Sequence, residues 1–121
     1  MTLSWYKATP QKLDNITEEK GIYILSVQLN SGEYGVIYVG QSENLRKRAK
    51  EHFSPNESNL ELRAYLKHNY IFKISYAKCS RSLNAVEKYL ILHFKPKFNN
   101  NEGNGTEMEK TNLPNVVKYE K

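Results

Sequence analysis

A chain of 121 residues with a net charge of +5 and nine tyrosines can build one modest core but not two. No stretch approaches the roughly 20 apolar residues that span a bilayer, and the opening MTLSWYKATPQK lacks the apolar run of a signal peptide. Cys79 is alone and can close no internal disulfide, and no Cys/His cluster offers a zinc site, so a soluble cytoplasmic protein with no membrane partner is expected.

In chain order, residues 1–20 read as a leading segment in which Trp5, Tyr6, Pro10 and Leu13 are mixed with polar residues, with room for one short helix. Residues 21–29 alternate, with Ile22, Ile24, Ser26 and Gln28 on one side and Tyr23, Leu25, Val27 and Leu29 on the other. With β-branched and aromatic residues throughout its first half, this predicts a largely buried strand. NSGEYG carries turn chemistry, and Val36-Ile37-Tyr38-Val39 resumes the strand pattern, giving an antiparallel hairpin. After Gly40, Ser42 or Asn44 caps a helix reaching to about Phe53, with Leu45, Ala49 and Phe53 facing the core before Ser54-Pro55 ends it.

A second helix is predicted over 59–68, where Ser58 and Glu61 are spaced as a capping box. Residues 70–78 alternate as a third strand. Ser82 then caps a helix over 83–94, with Leu83, Val86 and Leu90 on one stripe and Pro96 as its stop. The expected fold class is α+β, an α/β sandwich with a small central three-stranded antiparallel sheet flanked by helices. Residues 100–121 are polar and are expected to form a loosely ordered tail.

The positive charge is concentrated. Residues 63–97 hold eight basic side chains and a single acid, Glu87, whereas each other segment is nearly balanced. Such a stretch suits a polyanion partner, although solvated basic faces are common. Glu87 stands out because its helical neighbours at three and four residues are Leu83, Asn84, Leu90 and Ile91, which give it no intrahelical ion pair. A tertiary salt bridge to Arg81 or Arg63 is the plain account. The functional account is a carboxylate holding a hard divalent cation completed by waters and phosphate oxygens. Arg48 and His52 share one helix face, with Arg48 about 60° from the Leu45 stripe, on the shoulder between core and solvent.

Gly21-Ile22-Tyr23 opens the first strand and Tyr38-Val39-Gly40 closes the second. Together with the order hairpin, helix, helix, strand, helix, this pattern resembles the GIY-YIG nuclease family over about residues 21–99. GIY matches outright, and YVG carries Val for the usual Ile. GQSENLRKRAKEHF is similar to the segment after the family's second motif and brings its arginine to Arg48. AVEKYLILHFKPKFN is similar to the segment that carries the metal-binding glutamate, here Glu87, and then Pro-x-aromatic-Asn ending on Asn99.

The resemblance implies a metal-dependent endonuclease cleaving DNA phosphodiesters with one Mg²⁺ or Mn²⁺ at Glu87. Tyr23, Tyr38, Arg48, His52 and Asn99 would form the catalytic set. Arg48 would clamp the scissile phosphate, and Tyr23 or Tyr38, with His52, would prepare the water. A phenol is a poor base at neutral pH unless cations bring it down, and Arg48 and the metal are the expected cations. Each residue has a plainer reading: core phenols for the tyrosines, a solvated or paired charge for Arg48, a helix-end ring for His52, a helix-exit amide for Asn99. Ser42 at a helix start, Arg46, Lys47 and Arg81 are candidate DNA contacts. The hairpin loop is longer than in many relatives, which bears on substrate contacts there but not on the phenol positions. Relatives carry added DNA-binding domains where this chain has only its tail, so target choice is expected from dimerisation, a partner protein, or the shape of branched or damaged DNA. A binding module that keeps the fold without turnover is the rival, and a protein-interaction role ranks third.

Overall fold

The computed structural model describes residues 3–99 and the backbone of Lys118–Tyr119. Its elements are β1 (Tyr6–Ala8), a 3-10 helix (Pro10–Asn15), β2 (Gly21–Gln28), β3 (Tyr34–Ser42), α1 (Leu45–His52), α2 (Leu60–Leu66), β4 (Phe72–Lys78), α3 (Leu83–Phe94) and β5 (Lys118–Tyr119). The alternation over residues 21–29 becomes a strand with a neighbour on each side, β3 and β4, both antiparallel. Every residue of β2 except the last is buried, as expected of a strand covered on both faces.

The sheet is wider than the expected three strands. Its order is β3-β2-β4-β1-β5. The first four are joined antiparallel, and β5 lies parallel to β1. β1 comes from the leading segment and pairs Tyr6 with Tyr76 and Ala8 with Ile74. Three residues are too few to show an alternation, so their pairing follows from the free edge that β4 would otherwise expose. The expectation of a loose tail falls on residues 100–121, which lie outside the described residues except for Lys118–Tyr119 in β5.

Helices cover both faces. Tyr23, Leu25 and Val27 of β2 pack with Ile74 and Tyr76 against Leu45 and Ala49 of α1 and Leu62 of α2. Ile22, Ile24, Val39 and Ala77 pack on the other side against Leu83, Val86, Leu90 and Ile91 of α3, with Trp5. The α3 stripe read from the sequence is therefore the buried one.

Local details resolve the capping choices. Asn44 caps α1 by accepting the Lys47 backbone N–H at 3.0 Å. Asn59, not Ser58, caps α2, accepting from the Leu62 N–H at 3.1 Å. Ser82 stands before α3 in a left-handed conformation without a side-chain cap bond. Lys95 closes α3 in the left-handed region, its N–H bonded to the Ile91 carbonyl at 2.7 Å, and Pro96 follows.

β3 carries a bulge. Leu25 faces Tyr38 and Ser26 faces Val36, so Ile37 is the extra residue. Strict alternation from Val36, which packs toward α3, would send Tyr38 to the α3 side. The inserted residue lets Ile37 and Tyr38 both face α1 and α2. The outer edge of β3 is then covered by the chain leaving α3, with Phe98 N–H bonded to the Ile37 carbonyl at 3.0 Å.

Candidate active site

Tyr23 lies in β2 with its phenol across Gly40 of β3, its cross-strand partner. A Cβ at position 40 would fall onto the Tyr23 ring and hydroxyl, so glycine there is a matter of space. The bulge brings Tyr38 to the same face, with its ring centroid 6.2 Å from that of Tyr23. The two phenols are thus neighbours because of strand register, one fully buried and one partly exposed.

α1 supplies the next two groups. His52 lies against both rings, 5.3 Å from Tyr23 and 5.2 Å from Tyr38 between centroids. Its Nε2 is 2.6 Å from the Tyr23 hydroxyl. Arg48, one turn earlier, holds its guanidinium close enough to both phenols to favour their ionised forms. The shared helix face read from the sequence therefore points at the tyrosines. His52 is 1% exposed, so it meets a buried phenol rather than open solvent.

A residue that sequence reasoning passed over completes this cluster. Glu57, in the loop between α1 and α2, is 1% exposed. One carboxylate oxygen accepts the Asn59 backbone N–H at 2.9 Å and lies 3.5 Å from the Arg48 guanidinium. The other lies in contact with His52 Nδ1. Within SPNES nothing in spacing or periodicity marks this acid as buried. The loop's return toward α1 brings it in.

Protonation is decided mainly by burial. Desolvation pushes Tyr23 well above the usual phenol value, with the nearby Tyr38 and Glu57 adding to it and Arg48 pulling the other way. Tyr38 is raised for the same leading reason. Arg48 acts in the direction expected of a cation, but by itself it is outweighed by desolvation. Burial and then the Arg48 charge push His52 down to about 3. The ring is neutral at pH 7.

Glu87 sits on α3 beside β3, its carboxylate near enough to Tyr38 to oppose ionisation of that phenol. Its hydrogen bond comes from Gln41 at 3.5 Å, and Gln41 also donates to Asn84 at 2.5 Å. Neither Arg81 nor Arg63 pairs with it among the described residues, and burial raises its carboxyl above the ordinary value. A half-buried carboxylate without a cation partner fits a metal ligand electrostatically. No group of three or more His, Cys, Asp or Glu forms a metal cluster among the described residues. Asn99 brackets the β3 edge: its amide oxygen accepts the Val39 N–H and its amide nitrogen donates to the Val39 carbonyl, both at 2.8 Å. It holds the residue next to Tyr38 and does not itself bond a tyrosine.

The other candidates are placed elsewhere. The Ser42 hydroxyl closes a local turn, accepting from the Asn44 N–H at 3.0 Å and donating to the Asn44 carbonyl at 2.9 Å. Arg46 is committed to the Ile16 carbonyl and Glu18, both at 2.8 Å, and ties the leading segment to α1. Lys47 is exposed on the outer side of α1, beside Lys50, which pairs with Asp14 at 2.5 Å. Arg81 is exposed in the turn before α3.

A mixed sheet with paired tyrosines, a guanidinium and a carboxylate near the second phenol defines a class, and comparison with known proteins gives it a family. The GIY-YIG catalytic domain model matches residues 19–101, and the chain belongs to that family. It is 32% identical over 87 residues to UvrABC system protein C of Thermosipho africanus (strain TCF52B), and 35% identical over 92 residues to that of Protochlamydia amoebophila (strain UWE25). These matches cover 72% and 74% of this chain but 14% of each relative. The chain is similar in fold to the magnesium-bound GIY-YIG N-terminal endonuclease domain of UvrC from Thermotoga maritima. The TM-score is 0.51 at 22% identity, covering 74% of this chain and 92% of that one.

Proposed function

We propose that this chain is a metal-dependent endonuclease that hydrolyses DNA phosphodiester bonds with one divalent cation. The observation that carries the reading is the convergence of Tyr23, Tyr38, Arg48 and His52 in one cluster, with the Glu87 carboxylate beyond Tyr38 lacking a basic partner among the described residues. The Thermotoga maritima domain is bound to magnesium as its catalytic divalent cation, and Glu87 would hold one Mg²⁺ or Mn²⁺ here. When bound, that ion acidifies water and neutralises charge on the phosphate.

The chain's own groups supply the rest. Arg48, partly exposed beside the phenols, faces the phosphate oxygens and stabilises the charge that builds on them. Tyr23 and His52 act as a relay. A water proton passes to the Tyr23 oxygen as the phenol proton moves to His52 Nε2, so no free phenolate forms against the cost of its burial. The hydroxide forms its bond to phosphorus, the P–O3′ bond breaks, and the leaving oxygen takes a proton from solvent. Asn99 keeps β3, and hence Tyr38, in register with β2. Lys47 and Arg81 are the exposed candidates for contacts to flanking phosphates. The substrate would be DNA in a cytoplasmic setting, its target chosen through a homodimer, a partner protein or branched or damaged structure.

The test is cleavage of duplex, nicked and branched DNA in Mg²⁺ by wild type and Glu87→Ala. The expected outcome is wild-type cleavage that falls by about 100-fold or more in the variant. Equal cleavage by both refutes the metal role.

A further inference from the structure

We propose that Glu57 is the positioning residue of this site: its buried carboxylate takes the proton-bearing Nδ1 of His52 and thereby turns the Nε2 lone pair onto the Tyr23 hydroxyl. The proposal rests on the nuclease reading for its catalytic meaning, but its structural content stands without it.

The geometry leaves His52 little choice. Nδ1 and the Glu57 Oε2 are in contact, both side chains fully buried. Neither atom has another hydrogen-bond partner among the described residues. Two buried polar atoms in that position are satisfied only by a proton between them. The other carboxylate oxygen already accepts the Asn59 N–H and faces Arg48, surroundings suited to a carboxylate, so the shared proton belongs to the imidazole. A neutral ring with its proton on Nδ1 has a lone pair on Nε2, which lies 2.6 Å from the Tyr23 hydroxyl. Tyr23 must then donate. With the proton on Nε2 instead, the ring would present a donor to the phenol and a bare lone pair to the carboxylate, and the relay could not run.

Glu57 is itself held from two sides. Asn59, whose N–H it binds, caps α2 and donates to the Phe98 carbonyl at 3.0 Å. Phe98 and Asn99 in turn bond the β3 edge on either side of Tyr38. The loop that carries the carboxylate is thus tied to the strand that carries the second phenol. Protonation of this buried ring is uphill, and the carboxylate already in contact with Nδ1 is the group that offsets the imidazolium while the relay holds the Tyr23 proton on Nε2.

The experiment reads the His52 tautomer by ¹⁵N NMR in the DNA-free protein, in wild type and in Glu57→Gln. Wild type is expected to show the Nδ1–H form as the dominant neutral species, and an Nε2–H ring in wild type overturns the proposal. In folded Glu57→Gln the Nε2–H form should become substantial, and kcat for DNA cleavage should fall by about 100-fold with KM within a few-fold. Unchanged tautomer and unchanged kcat in that variant also overturn it. Should wild type cleave no DNA, the nuclease reading fails separately, while the wild-type tautomer still decides the place of Glu57.

Discussion

Lowering the pH from 7 to 5 should destabilise this protein through one buried ring. Of the three histidines, only His52 is buried among the described residues, in contact with Tyr23, Tyr38 and Glu57 and within the field of Arg48. Its pKa is about 3 in the folded chain against 6.5 for the unperturbed group. The unfolded chain therefore binds a proton below 6.5 that the folded chain refuses. The stability that the neutral ring contributes is fully present above 6.5 and is lost as pH falls, down to about 3. Between pH 7 and 5 the loss from this group is about 2 kcal/mol, or roughly 8 °C in Tm for a domain of this size. Glu87, with its carboxyl raised, acts in the opposite sense over the lower part of the range. The comparison is therefore with His52→Gln: urea unfolding at both pH values should show a drop about 2 kcal/mol larger in wild type than in the variant. Parallel pH dependence in the two proteins, or an NMR titration of His52 with its midpoint near 6.5, would refute the reasoning.

Other contacts carry expectations of their own. Gly40→Ala drives a methyl group into the Tyr23 phenol; it should cost about 1–3 kcal/mol and lower cleavage, whereas full activity would mean that Tyr23 can move without consequence. Asn99→Ala removes two hydrogen bonds from the edge of β3; a loss of about 1–2 kcal/mol and faster amide exchange at Val39 are expected, and unchanged exchange would contradict the bracket. Glu87→Gln should abolish Mg²⁺ binding by calorimetry while leaving metal-free Tm unchanged or slightly higher, because burial disfavours its charge. In wild type, Mg²⁺ affinity should weaken on acidification, starting above the usual carboxylate range.

Much of the framework could be read directly from the residues. The alternation of residues 21–29 placed Tyr23, Leu25 and Val27 on one face, and the structure packs them together. The stripe Leu83, Val86 and Leu90 is the buried stripe of α3, and Arg48 with His52 falls on one face of α1 because their spacing is local. GIY and YVG marked the family before any packing was known. β1 was not legible, since three residues have no period and its pairing depends on the exposed edge of a strand nearly 70 residues away. Ser58 gave way to Asn59 as the cap of α2, a choice made where the chain turns Glu57 inward.

The amino-acid order by itself determined β2, β3 and β4, the three α-helices and which chemical groups were on offer, because these depend on neighbours within a few positions. Tertiary structure alone decided that a single extra residue, Ile37, swings Tyr38 to the side of Tyr23. It also decided that burial overrides Arg48 in setting the phenols' protonation, and that an unremarkable loop acid ends against an imidazole. Those outcomes depend on register, desolvation and loop return, which exist only once distant segments are packed together.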